Sequence, residues 1–156
     1  MLAALRDALS EIQGTYSLAF RFRRSLNKTS HYLVFVTKNV LGHDIMKSIM
    51  AGVSSSKPQG VASFDYVLPD PIRGLALELA TPLDDLQGEL LQRYTGWQKT
   101  VRAIYDEHNL GTRYTLSNYK EALKAMRARD PVVCSRPSGA SIKNNTMPDD
   151  VIVAFP

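Results

Sequence analysis

The sequence predicts an α+β chain in two parts, and three observations predict it. Near the N-terminus, helical periodicity flanks two runs of strand character, Tyr16–Arg24 and His31–Thr37. A small, polar segment with a proline, Ser54–Gly60, then interrupts the chain. From Thr81 onward the order is helix, helix, short glycine turn, helix and two short apolar strands, which is the order of a winged helix-turn-helix. The expected divisions are 1–56 for the helix–hairpin–helix part, 57–80 for a linker with one short strand, and 81–156 for the winged helix-turn-helix.

In the first part, Leu2, Leu5, Leu9 and Ile12 recur at helical spacing, and Gly14 ends that helix. Tyr16–Arg24 alternates, with Leu18, Phe20 and Phe22 on one side and Ala19, Arg21 and Arg23 on the other, which reads as a half-exposed, edge-like strand. His31–Thr37 is apolar through its centre and rich in β-branched and aromatic residues, so it is expected to be the more central strand, covered on both faces. A helix over His43–Val53 is expected to turn Ile45, Met46, Ile49, Met50 and Val53 inward. Phe64–Leu68 reads as a short strand, Pro69-Asp70-Pro71 as a turn, and Leu75–Ala80 as a strand or a helical turn.

In the second part, Thr81 is an expected N-cap, with Pro82 at the first helical position and Asp84 and Asp85 against the positive end of the helix dipole. The helix over Pro82–Arg93 should bury Leu83, Leu86, Leu90 and Leu91. A second, about Gln98–His108, should bury Val101, Ile104 and Tyr105. Asn109-Leu110-Gly111-Thr112 is a tight turn whose glycine suits positive φ. The third helix, about Arg113–Arg129, should present Leu116, Tyr119, Leu123 and Met126 to the core. Pro131–Ser135 and Val151–Phe155 read as wing strands joined by Arg136–Asp150.

Composition bounds what such a chain can be. Its 156 residues are 44% hydrophobic and 22% charged, proportions of a globular protein. The net charge of +4 is mild, but its distribution is uneven: residues 97–143 hold nine Lys/Arg against four Asp/Glu. A basic excess confined to one stretch can make one face bind an anionic polymer. One cysteine, Cys134, excludes an internal disulfide framework and a Cys-rich metal site, and points to a reducing cytoplasm. No run approaches a membrane span, and Arg6 and Asp7 break any signal-peptide core, so no membrane partner is expected.

Several blocks carry a family resemblance. Phe20-Arg21-Phe22-Arg23, His31-Tyr32-Leu33-Val34-Phe35-Val36-Thr37-Lys38, Leu41-Gly42 and Ile45-Met46-Lys47 are followed by Ile104-Tyr105, His108-Asn109-x-Gly111-Thr112 and Asn118-Tyr119-Lys120-Glu121-Ala122-Leu123. In this order they resemble the C-terminal part of the three-Cys-motif partner proteins, although Asn39-Val40 stands where His-Pro is expected. The resemblance implies the tail of a methyltransferase-like Rossmann region followed by a winged helix-turn-helix. It also implies a phage-type neighbour with three cysteines that looks like a radical S-adenosylmethionine enzyme. On this view the N-terminal helix–β-hairpin–helix is a remnant of a Rossmann-like sheet. No Gly-rich turn after a first strand, with an acid about 20 residues on, appears before Tyr16. No cofactor is therefore expected, and the chain alone should not bind S-adenosylmethionine.

The candidate nucleic-acid-binding residues are Arg113, Ser117, Lys120, Lys124 and Arg127 on or around the third helix, with Arg129 beside them, and Arg136, Ser138 and Lys143 in the wing. Such side chains make the phosphate and base-edge contacts of this motif class, with duplex DNA the favoured ligand. The competing reading is a solvated helix face on a fold that serves protein contacts. Arg21, Arg23 and Arg24 either keep an edge strand soluble or form a second contact. No catalytic group emerges. His31, His43 and His108 lack metal-type partners at i+3 or i+4, the Ser54/Lys57 and Ser117/Lys120 spacings lack the motifs of a Ser/Lys nucleophile, and Cys134 reads as a buried small hydrophobe. Trp97 either packs against the second helix or stacks on a base. Because Leu18, Phe20 and Phe22 lack the neighbours of a full Rossmann sheet, a homodimer or partner complex through residues 16–37 is expected. The resulting function is a DNA-binding accessory or regulatory protein. The alternatives are the C-terminal fragment of a methyltransferase-like enzyme and a protein-interaction module.

Overall fold

The computed structural model describes residues 8, 12, 15–25, 28–67, 81–129 and 131–156. The expected helix over Met1–Ile12 falls almost wholly outside the described residues, as do the turn and the element expected over Pro69–Ala80. The chain divides into two units, Met1–Lys57 with Ala62–Glu78, and Pro58–Val61 with Leu79–Pro156.

In the first unit, β1 (Tyr16–Ser25) and β2 (Lys28–Thr37) form an antiparallel hairpin in which Leu18 faces Phe35 and Phe20 faces Leu33. A short β3 (Asp65–Val67) pairs parallel with β1, Arg21 opposite Asp65. The strand order is therefore β2-β1-β3, which reverses the expected roles: the alternating strand is central and the apolar one is an edge. The reason is electrostatic as well as steric, because Asp65 accepts from Arg21 at 3.1 Å and Arg23 at 3.0 Å and holds β3 against the far side of β1. The Leu18, Phe20 and Phe22 face packs with Met46 and Met50 of α1 (Val40–Val53) and with Phe35, Phe64 and Tyr66.

Helix α1 starts at Asn39, whose Oδ1 accepts from the Leu41 amide at 2.9 Å. Its orientation also differs from the expectation. His43, Lys47 and Met50 are buried, while Ile45, Ile49 and Val53 are exposed. The helix carries two apolar stripes, Met46/Met50 and Leu41/Ile45/Ile49/Val53; only one can face the sheet, and the methionine stripe brings His43 and Lys47 in with it. The Ser54 hydroxyl ends the helix, donating to the Met50 carbonyl at 2.9 Å and accepting from the Phe64 amide at 3.1 Å.

The second unit comprises α2 (Pro82–Tyr94), β4 (Gln98–Thr100), α3 (Val101–His108), α4 (Leu116–Ala128), β5 (Val133–Ser135) and β6 (Ile152–Ala154). The sheet order is β4-β6-β5, with Val153 opposite both Lys99 and Cys134. Its core joins Leu86, Leu90 and Tyr94 of α2, Val101, Ile104 and Tyr105 of α3, Tyr119, Leu123 and Met126 of α4, and Val151, Val153 and Phe155 at the C-terminus. Of the inward residues the periodicity predicts, Leu86, Leu90, Val101, Ile104, Tyr105, Tyr119, Leu123 and Met126 are buried in this core, while Leu83, Leu91 and Leu116 are only partly buried against it.

Two local expectations are corrected. Gln98–Thr100 is a strand rather than the start of a helix; Thr100 is the cap, its Oγ1 accepting from the Ala103 amide at 3.1 Å. The Thr81 side chain does not cap α2. Gln59 does so from a left-handed backbone position (φ +49°), its Oε1 accepting from the Leu83 amide at 2.8 Å and its Nε2 donating to Asp84 at 3.0 Å. Between α3 and α4, Gly111 takes φ +78°, the conformation expected of it. No helix among the described residues is long and apolar enough to cross a membrane.

Candidate nucleic-acid interface

Helix α4 shows one face to the core and the other to solvent. Tyr119, Ala122, Leu123 and Met126 are buried, leaving Ser117, Glu121 and Ala128 exposed and Lys120, Lys124 and Arg127 half-buried on the outer side. Three contacts fix the helix in place. The Thr115 amide donates to Asn118 Oδ1 at 2.9 Å, Asn118 Nδ2 donates to the Gly60 carbonyl at 3.0 Å, and Tyr119 shares a 2.7 Å hydrogen bond with His108 Nδ1. Tyr119 also meets Tyr105 edge to face at 5.3 Å, and burial pushes its phenol far above the ordinary range. A helix so held presents its outer side chains from a rigid base.

The basic residues divide into two sets. Lys120 pairs with Asp149, Lys124 with Glu121 at 2.6 Å, and Arg136 forks onto Asp150, with its closest contact at 2.9 Å. Arg127 and Lys143 form no ion pair among the described residues. Arg113 lies in the turn before α4, its guanidinium 5.8 Å from the Tyr114 ring centre. The local positive charge counted in the sequence is thus partly offset by three acids, two of them at the end of the wing.

Wing and helix meet at a cleft of about 300 Å³ lined by Lys124, Arg127, Ala128, Asn144, Asn145 and Thr146. Asn145 takes a left-handed φ of +63° and accepts from Lys124 at 3.5 Å, while Thr146 is tied back to the Lys143 carbonyl at 2.8 Å. Two cations and two side-chain amides therefore line one concave surface, the donor set that phosphates and base edges accept from. Asn144, Asn145 and Thr146 carry no charge and stand outside the basic set that the sequence marks. The signal available was the Asn-Asn pair, a turn former that tolerates positive φ.

The other candidates lie elsewhere. Arg21 and Arg23 are committed to Asp65, and Arg24 is exposed. Burial pushes the Asp65 carboxyl up, but hydrogen bonds from Ser63, Arg23 and Arg21 outweigh it and hold the group below its ordinary value. Trp97 is exposed rather than packed, with the Lys99 ammonium 5.4 Å from its ring centre. Burial raises the Cys134 thiol, so it is not an activated thiolate. His31 stacks on Phe22 at 4.5 Å, and burial lowers the pKa of His43.

The three-helix order, the β4-β6-β5 sheet and the long wing decide the domain type. Residues 63–139 match the GMT-like wHTH domain family. No curated protein and no solved structure matches the chain. The matched stretch holds β3, all of α2 to β5 and the first residues of the wing, and does not reach β1, β2 or α1. The C-terminal part is a winged helix-turn-helix, a DNA-binding-type domain.

Proposed function

We propose that the winged helix-turn-helix binds nucleic acid, duplex DNA in preference, through the outer face of α4 and the wing. The protein then acts as a DNA-binding accessory or regulatory factor beside a three-Cys, radical S-adenosylmethionine-like partner. The observation that carries the reading is the cleft between α4 and the wing, where Lys124 and Arg127 stand with Asn144, Asn145 and Thr146. In this reading Ser117, Lys120 and Lys143, with Arg113 and Arg136, supply further contacts to the same ligand. The three intramolecular ion pairs do not prevent phosphate binding, because exposed pairs of this kind contribute only about 0–1 kcal/mol.

The test is binding of labelled duplex by Lys124→Ala and Arg127→Ala variants. Each should weaken binding without altering the melting temperature, and Arg127→Ala should flatten the log–log salt slope by about 0.9 for the lost phosphate contact. Those same ion pairs favour a second reading, a protein-interaction module. Unchanged affinity and slope in both variants would select it.

A further inference from the structure

Among the described residues, the first unit leaves its most apolar strand unpaired on one side. β2 is the edge of its sheet, and Tyr32, Leu33 and Val36 are 39%, 50% and 44% exposed. Natural edge strands are blunted by bulges, prolines or central charges. Here the irregularities fall at the hairpin end, at Phe22/Arg23 and beyond, and the run from Tyr32 to Val36 has no charge, proline or bulge. Above the sheet, α1 turns Leu41, Ile45, Ile49 and Val53 to solvent, more than half of each exposed, and that outer arc carries no charged residue.

We propose that a second copy of this chain covers β2, by antiparallel pairing of β2 with β2 of its partner about a two-fold axis at Val34. Three features select this occupant. The apolar run Tyr32–Val36 is centred on Val34, so this register alone opposes all five residues with apolar ones: Val34 with its own mate, Leu33 with Phe35, and Tyr32 with Val36. The register centred on Leu33 would instead set Lys28 against Lys38, and like charges directly opposite are destabilising. Finally, the spacing suits the helices. α1 packs on both β1 and β2, so an axis above the gap between them lies about one strand spacing, ~4.8 Å, from the two-fold. The two helix axes then stand roughly 10 Å apart, near the distance at which helices pack. The product is a six-stranded sheet with both helices on one face.

The experiment uses the full chain in a Cys134→Ser background, so that any disulfide reports an introduced cysteine. Val34→Cys places two cysteines opposite each other at the axis and should form a covalent dimer under mild oxidation, whereas Ser30→Cys, which faces Lys38 of the second copy, should not. Without oxidant, sedimentation should give a dimer for the parent protein at tens of micromolar and a folded monomer for Val34→Lys, which opposes two lysines. A parent protein that sediments as a monomer overturns the proposal. So does a dimer that Val34→Lys leaves intact, or one that cross-links as readily at residue 30 as at residue 34.

Discussion

Removing the wing acids should strengthen DNA binding. Asp149 pairs with Lys120 and Asp150 with Arg136, and both carboxylates are about half-exposed. A bound phosphate must compete with each, against a pair stabilisation of about 0.2–1 kcal/mol. The double variant Asp149→Asn/Asp150→Asn keeps side-chain shape and leaves the backbone bond from the Arg102 amide to the Asp149 carbonyl (3.1 Å) in place. It frees two cations and deletes two negative charges beside the ligand. Together these amount to about 0.5–2 kcal/mol, or roughly a 2- to 30-fold gain in affinity for duplex at low salt. If both cations then reach phosphates, the log–log salt slope steepens by up to about 1.8. Fluorescence anisotropy across a salt series measures both quantities. Unchanged affinity and slope in a folded double variant would refute the reasoning, because the acids would then be facing nothing that carries charge.

The remaining predictions concern stability. Tyr119→Ala should cost about 3–5 kcal/mol by urea denaturation, since it empties a fully buried site, and weaken DNA binding only through lost folded protein. Tyr119→Phe should cost about 1 kcal/mol, the bond to His108, and leave affinity unchanged. Lys47 is fully buried, and burial lowers its pKa to about 8 against an opposing attraction from Asp44. The unfolded chain therefore binds more protons between about pH 8 and pH 10.5, so stability should rise with pH across that window and be lost as pH falls through 8. Lys47→Met should flatten the rise and be the more stable protein at pH 7, read from denaturation curves at several pH values.

The second unit was the more legible in the sequence. Its helices each carry one apolar stripe, and Gly111 marks the turn between α3 and α4, so periodicity and punctuation point to the same core. What escaped were features set by distant partners. Gln–Lys–Thr at 98–100 has no strand signature of its own and becomes a strand by pairing with β6. Gln59 caps α2 from 24 residues away in sequence, and the wing residues Asn144–Thr146 reach α4 only through the loop's return. In the first unit the sequence misled, because apolar content measures how much a segment can bury and not which neighbour buries it. β2 and the outer stripe of α1 are written for cover, and the ion pairs of Asp65 with Arg21 and Arg23 place β3 on the opposite side of β1.

The central claim, that α4 and the wing form a nucleic-acid interface, is tested most directly by titrating the purified chain into labelled duplex DNA, single strands of the same sequence and a structured RNA, each at two salt concentrations. The account predicts tightest binding to duplex, with affinity falling steeply as salt rises. No binding to any of the three at low salt, or binding that salt leaves unchanged, would contradict it.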